Sequence, residues 1–393
     1  MIMSPDVVDD PNSEPVTDRQ RAIVAALAGL PGMGPVRLRA VLAQRNPEVV
    51  YELITSGRFE AISELRSVPG LRADDLSTWR WHLSRISADD ILAAHAERDI
   101  TIDWSPDGVS IDRFRHDPDP PHMLFRLGAP IDTSQPCVAI VGTRRCSGYG
   151  RSVAASLGSD LTYAGVNVVS GVAIGIDGAA QRAALDCHMD SGRVGNVIGI
   201  VGSGLDVVYP QRHRALWADL ARHGTLLSEY PVGTPPAKWR FPARNRLIAS
   251  LADIVVVVES REAGGSLHTV ESAIERDRLV MAVPGPITSE ASAGTNRLLA
   301  EGCPPVTSAE DVLVALGLVG NGRTSQLPAA TVHDDGNRAL RSVLDAMGWE
   351  PTTVDELVLR TSLGLDELAA SLMTLRVSGR VVETGGWWER VAS

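Results

Sequence analysis

The chemistry of this 393-residue chain is concentrated in nine consecutive residues, Lys238-Trp239-Arg240-Phe241-Pro242-Ala243-Arg244-Asn245-Arg246. They combine four cations and two aromatic rings with no carboxylate, inside a protein of formal net charge −11. That alternation suits an unpaired nucleic-acid strand. Cations follow the phosphates, and a ring stacked on a base contributes about 1–3 kcal/mol. The sequence leaves two readings of Trp239 and Phe241 open, rings that face a base or rings that pack into the core. A second cationic pair, Arg144-Arg145, follows the apolar run Cys137–Val141 and Gly142-Thr143. The run reads as a buried strand. Gly148 and Gly150 punctuate the loop before a helical pattern over 151–164. In an open parallel sheet, ligands bind just past the carboxyl ends of strands. Two arginines and the free N–H groups of a helix start suit phosphate there.

Loops of one kind recur at the other strand ends. They are Ser170-Gly171-Val-Ala-Ile-Gly-Ile-Asp177, Gly202-Ser-Gly204 with Asp206 and Tyr209-Pro210, and Ser228-Glu-Tyr-Pro231. Further along come Gly264-Gly265-Ser266-Leu-His-Thr269, Pro284-Gly285-Pro286 and Ser292-Ala-Gly-Thr-Asn296. Small residues of this type let a backbone approach a sugar-phosphate chain through its N–H groups.

The elements that must position these loops alternate regularly over 136–317. Strands are expected at 137–141, 166–170, 196–201, 225–228, 253–259 and 279–283. Helices are expected at 151–164, 176–187, 213–222, 243–250, 266–276 and 294–302. Runs such as Ile254-Val-Val-Val-Val258 are apolar on both faces, as a sheet covered on both sides requires. This is an α/β, doubly wound pattern. Residues 1–17 read as a disordered lead-in and 18–83 as a small helical domain. Residues 84–317 read as the α/β domain, which opens with a helix, a strand and a proline-rich connector. Residues 318–336 read as a linker and 337–393 as a winged helix. Two apolar-Pro-Gly-apolar hairpins, around Pro31-Gly32 and Pro69-Gly70, either present N–H groups to a DNA phosphate or simply turn one helix into the next. Arg37 and Arg39 favour contact at the first, and Asp74 and Asp75 oppose it at the second. The third helix of the tail carries Asp366, Glu367 and Arg376, a poor surface for a major groove.

Several classes are excluded. Gly142, Gly148 and Gly150 do not make G-x-G-x-x-G, and no acid follows the second strand to hold a ribose. No G-x-x-x-x-G-K-[ST] and no G-x-S-x-G occurs. Cys137, Cys146, Cys187 and Cys303 lack metal or redox spacing, which fits a reduced, cytoplasmic protein. No apolar run is long enough to span a membrane. The acidic balance argues against bulk coating of nucleic acid and leaves room for a local basic groove.

The pattern closely resembles the DprA (Smf) family of DNA-processing proteins. The resemblance is carried by Gly142-Thr-Arg144, Tyr149-Gly150, Ser170–Asp177, Gly204-Leu-Asp206 with Tyr209-Pro210, Ser228–Pro231, Phe241-Pro-Ala-Arg-Asn-Arg246, Gly265-Ser-Leu267 with Thr269, Pro284-Gly285 and Gly294-Thr-Asn296. It implies an extended Rossmann-like doubly wound sheet between an N-terminal helical domain, SAM-like or helix-hairpin-helix-like, and a C-terminal winged helix. It further implies sequence-independent binding and protection of single-stranded DNA, a homodimer through the Rossmann-like domain, and loading of the RecA recombinase during natural transformation. No catalytic activity and no cofactor go with it. The DNA-binding residues it implies are Gly142, Arg144, Ser170, Lys238, Phe241, Arg244, Asn245, Arg246, Ser266, Thr269 and Asn296. The chain departs from the family at Gln181, where His is common, and at His213, where Asn is common. Both departures are expected to alter packing or dimer contacts rather than DNA binding.

An alternative comes from another class. Gly264–Glu271 resembles the Gly-Gly-x-Gly-Thr-x-x-Glu of phosphoribohydrolases of the LOG type, with a glycine missing and altered spacing. Glu271 would be the acid or base, against the plainer reading of an exposed helix carboxylate. A protein-interaction role for the winged helix is compatible with the first reading.

Overall fold

The computed structural model of the chain describes residues 16–318 and 338–390, apart from 43–44, 63–70, 107, 116, 192–194, 348–351, 362, 378–379 and 385–386. Two compact units form.

The first unit begins with α1 (Asp18–Ala28), whose start is fixed by a capping box between Thr17 and Gln20. Its apolar residues Ile23, Val24 and Leu27 are buried. α2 (Pro35–Leu42), α3 (Pro47–Thr55), α4 (Ala73–Leu83) and α5 (Ala88–Ala96) follow. β1 (Ile100–Asp103) then pairs antiparallel with β2 (Leu124–Gly128). The turn after α1 places Gly32 at φ 71°, a conformation that glycine adopts without steric cost. Trp79, fully buried, donates from Nε1 to Pro31 O at 2.9 Å and locks that turn. The two arginines expected to favour DNA are engaged within the unit. Arg37 donates to Gly32 O at 3.0 Å, and Arg39 pairs with Asp119 and donates to Pro120 O. The second hairpin falls largely on 68–70, outside the described residues.

The sequence places 84–127 with the α/β domain, whereas these residues cluster with the helical front. The reason is local. His95 of α5 stacks on Phe125 of β2 at 5.1 Å, and both are buried. Segments Ser203–Val207 and Ser228–Pro236 belong to the same unit.

The second unit is built on six parallel strands, β3 (Cys137–Val141), β4 (Asn167–Ser170), β5 (Val197–Ile200), β6 (Thr225–Ser228), β7 (Ile254–Val257) and β8 (Leu279–Ala282). Their order is β6-β5-β4-β3-β7-β8. Five of the six are buried along their whole length, which is why their sequences are apolar without alternation. Crossovers are α6 (Gly148–Tyr163), α7 (Ile176–Ser191), α8 (Arg214–His223), α9 (Arg240–Leu251) and α10 (Leu267–Ile274), with α11 (Ala293–Ala300) and α12 (Ala309–Ala315) after β8. Strand order reverses between β3 and β7, so the crevice at their carboxyl ends is the topological switch point.

Two starts differ from expectation. α6 opens at Gly148 because Ser147 caps it, its Oγ accepting from Gly150 N at 3.0 Å. α9 opens at Arg240, so most of the cationic stretch is helix rather than loop.

The tail forms α13 (Arg338–Met347), β9 (Thr352–Thr353), α14 (Val354–Thr361), α15 (Leu365–Val377), β10 (Val381–Thr384) and β11 (Trp387–Arg390). It is a winged helix with a three-stranded antiparallel sheet, β10-β11-β9. Thr352 and Thr353 supply the third strand, and Thr353 also caps α14, its Oγ1 accepting from Glu356 N at 3.4 Å. Val343, Leu344, Leu357, Leu368, Leu372 and Trp388 lie in its separate core. The cation of α15, Arg376, pairs with Glu383 at 3.3 Å.

Candidate nucleic-acid interface

The site begins where β3 ends. Thr143 N donates to Glu259 O at 2.7 Å and Arg145 N to Thr143 Oγ1 at 3.2 Å, which fixes the loop before α6. Arg144 and Arg145 are exposed on that loop, and among the described residues neither pairs with a carboxylate. The Arg144 guanidinium lies 5.2 Å from the centroid of the Phe241 ring. Phe241 is half-buried on the first turn of α9 and has a second planar neighbour, Tyr209, at 5.4 Å with the rings tilted by 31°. Tyr209 is 41% exposed. Lys238, also exposed, precedes Phe241 by three residues, a reach of at most about 11 Å. Beside it, Trp239 is half exposed under the Arg240 guanidinium at 5.0 Å. Cations at the start of a helix oppose its dipole, and the first turn of α9 carries no acid. Local helix stability therefore does not explain this charge.

Of the remaining expected residues, Ser170, Arg244, Arg246, Ser266 and Thr269 are buried and Gly142, Asn245 and Asn296 are half-buried. Arg244 is 4% exposed and donates from Nη2 to Gly171 O at 3.1 Å. Asp177 is buried and accepts from Gly171 N at 3.1 Å. Gly171 is required between them, because a Cβ there would stand 1.8 Å from Arg244 Nη1 and 2.6 Å from Asp177 Oδ2. Burial pushes the Arg244 pKa down to about 10, against the pull of Asp177, with Arg144 adding to the fall. Burial also raises the Asp177 carboxyl, with Arg244 opposing. Arg246 is buried as well. Ser170 Oγ donates to Ile140 O at 2.6 Å, and Ser266 Oγ to Ser260 Oγ at 2.9 Å. Thr269 is 2% exposed. Asn296 clamps Gly285, accepting from its N–H at 3.2 Å and donating to its C=O at 3.0 Å. Gly142 and Asn245 are half-buried.

The fold thus brings Arg144 to the Phe241 ring, leaves Lys238 exposed three residues before that ring, and buries Ser170, Arg244, Arg246, Ser266 and Thr269. Two residues not named as site residues from the sequence belong here. Tyr209 reaches Phe241 across thirty-two positions, a pairing that only the fold creates. Glu259, buried at the end of β7, accepts from Ser147 N and Ser147 Oγ. An acid two residues past an isoleucine-valine strand was the available signal.

Glu271 is exposed on α10 beside His268, at 3.1 Å. Among the described residues no group of three or more His, Cys, Asp or Glu side chains is placed to hold a metal ion. None of the described helices is long and apolar enough to cross a membrane.

Residues 110–317 match the family described as DNA recombination-mediator protein A, and residues 325–386 match the DprA winged helix domain. A putative DNA processing protein DprA of Mycobacterium tuberculosis is 40% identical over 271 residues, 68% of each chain. A protein Smf of Synechocystis is 28% identical over 406 residues, covering 94% of this chain and 98% of its own. The X-ray structure of DNA processing protein A from Streptococcus pneumoniae superposes with a TM-score of 0.60 at 31% identity, covering 77% of this chain and 98% of that one.

Proposed function

The chain belongs to the DprA family of DNA recombination-mediator proteins, and from that premise we propose that it binds single-stranded DNA without reading its sequence. One observation carries the reading. Arg144, exposed and without a carboxylate partner among the described residues, stands at the Phe241–Tyr209 ring pair, and exposed Lys238 comes three residues before Phe241, in a protein of net charge −11. A partly exposed ring pair offers a stacking face to a splayed base, and every base has such a face, so stacking does not select sequence. A duplex hides those faces and offers the site only its phosphates.

The same reading takes in a homodimer through the Rossmann-like unit and delivery of the bound strand to the RecA recombinase, in a cytoplasmic and non-enzymatic role. Glu271 stands exposed beside His268, without the burial that commonly sets up an acid–base catalyst. The deciding experiment titrates labelled oligo-dT and a duplex of equal length at two salt concentrations. Preference for oligo-dT, with log K falling by about 0.7 per phosphate contact per unit of log salt, is expected. Equal or tighter binding of the duplex overturns the proposal.

A further inference from the structure

The switch-point crevice between β3 and β7 is where an open α/β sheet ordinarily receives a ligand's phosphate, at the start of the first crossover helix. Here that place is already filled from within. Glu259, 1% exposed, directs its carboxylate at the start of α6. Oε2 accepts from Ser147 N at 2.9 Å, and Oε1 accepts from Ser147 Oγ at 2.5 Å. Ser147 Oγ in turn accepts from Gly150 N at 3.0 Å. Gly150 lets the helix close on the carboxylate, since a Cβ there would stand 2.3 Å from Glu259 Cδ and Oε2. The main chain of the same residue holds the other end of the loop, accepting from Thr143 N at 2.7 Å. Arg144 and Arg145 lie between those two anchors. Among the described residues no lysine or arginine forms an ion pair with Glu259, so hydrogen bonds and the positive end of a sixteen-residue helix are what hold its charge.

We infer that Glu259 is the internal anion of this site, a positioning residue that occupies the phosphate seat of the fold and braces the Thr143–Ser147 loop so that Arg144 faces outward. Two consequences follow, and the second rests on the single-strand reading above. The α6 start is closed to a nucleotide phosphate, so the fold does not act here as a mononucleotide site. A bound strand meets the loop through its arginine side chains rather than through the helix N–H groups.

The test uses the full chain with Glu259→Ala and Glu259→Gln, and acetate as the probe that can refill the emptied seat. Hydrogen exchange on the free protein reads the loop directly. In Glu259→Ala the amides of 143–150 exchange faster than in the parent, and acetate slows them where equal chloride does not. Oligo-dT affinity falls by roughly tenfold or more, the scale of a lost charged hydrogen bond, and acetate recovers part of it against the chloride control. Glu259→Gln keeps the shape and one acceptor and falls between the two, which covers the case in which the alanine variant does not fold. Unchanged exchange over 143–150 in a folded variant overturns the inference, as does a loss of affinity that acetate does not touch. A parent protein that fails to bind oligo-dT refutes the single-strand reading, while the exchange result still decides the role of Glu259.

Discussion

Gln181 and His213, thirty-two residues apart in sequence, hold the same residue from its two sides. Gln181 Oε1 accepts from Val172 N at 3.0 Å, and His213 Nδ1 donates to Val172 O at 3.1 Å. Val172 sits at φ 53°, a region that β-branched residues rarely enter and that costs about 1–3 kcal/mol. These are the two positions that the resemblance set apart from the rest of the motif. They meet on one strained turn directly after β4, beside Gly171 and its Asp177–Arg244 clamp.

That convergence predicts a coupling. Gln181 also donates from Nε2 to Ile198 O at 2.9 Å and is fully buried. Gln181→Ala therefore strands a buried N–H and a buried C=O, and stability should fall by about 1–3 kcal/mol. Once His213→Ala has released the turn, the same change should cost less. Urea unfolding of the two single variants and the double variant measures the difference. Strictly additive losses would show that the two side chains do not share a load.

The sheet was legible because its strands are buried on both faces, and apolar runs such as Val138–Val141 and Ile254–Val257 need no partner to be recognised. The alternation of strand and helix gave the doubly wound plan, and the cationic stretch at 238–246 pointed to the site. What the sequence could not show was depth. Arg244 and Arg246 read as cations like Arg144 and Lys238, yet α9 turns the first two inward, because a helical period separates faces that a linear motif lists together. Tyr209 and Glu259 were hidden for a related reason. Each acts on a residue brought to it by a crossover, Phe241 in one case and Ser147 in the other.

Arg244 therefore gives a second prediction that separates support from contact. It is a buried cation that the Asp177 carboxyl favours electrostatically, and leaving a buried charge without its counter-charge is strongly destabilising. Arg244→Ala should lower the melting temperature markedly. Asp177→Asn combined with Arg244→Met should recover much of that loss, since no unpaired charge is left inside. Calorimetry decides. An Arg244→Ala protein as stable as the parent, but deficient in binding oligonucleotide, would make Arg244 a direct phosphate ligand instead.

The accessible trio predicts two distinguishable losses. Arg144→Ala and Lys238→Ala should each weaken oligo-dT binding and flatten its salt dependence by about 0.7 in log–log slope for each phosphate contact removed. Phe241→Ala should cost about 1–3 kcal/mol of affinity while leaving the slope nearly unchanged, because stacking releases no counterions. Tyr209→Ala should behave like Phe241→Ala if both rings face the strand. Titrations at several salt concentrations separate the two signatures, and a slope change in the Phe241 variant would contradict the assignment.

The last prediction concerns the first unit alone. His122 lines a pocket there with Met33, Leu38 and Met123, and its Nε2 is buried without a hydrogen-bond partner among the described residues. Burial, with a further push from Arg39, brings its pKa down to about 4, so the ring is neutral in the folded protein at pH 7. In the unfolded chain it titrates near its ordinary value of about 6.5. Between those values the unfolded state binds the extra proton, so stability rises with pH across that window. The His122 contribution is complete above about pH 6.5 and is lost as pH falls toward 4, by up to about 3 kcal/mol. His95 is lowered in the same direction by burial, so comparison of the parent with His122→Gln isolates the one ring. Urea midpoints measured from pH 4 to 7 should fall more steeply with acid in the parent than in the variant. Parallel pH profiles would mean that the His122 ring is protonated in the folded protein at no free-energy cost.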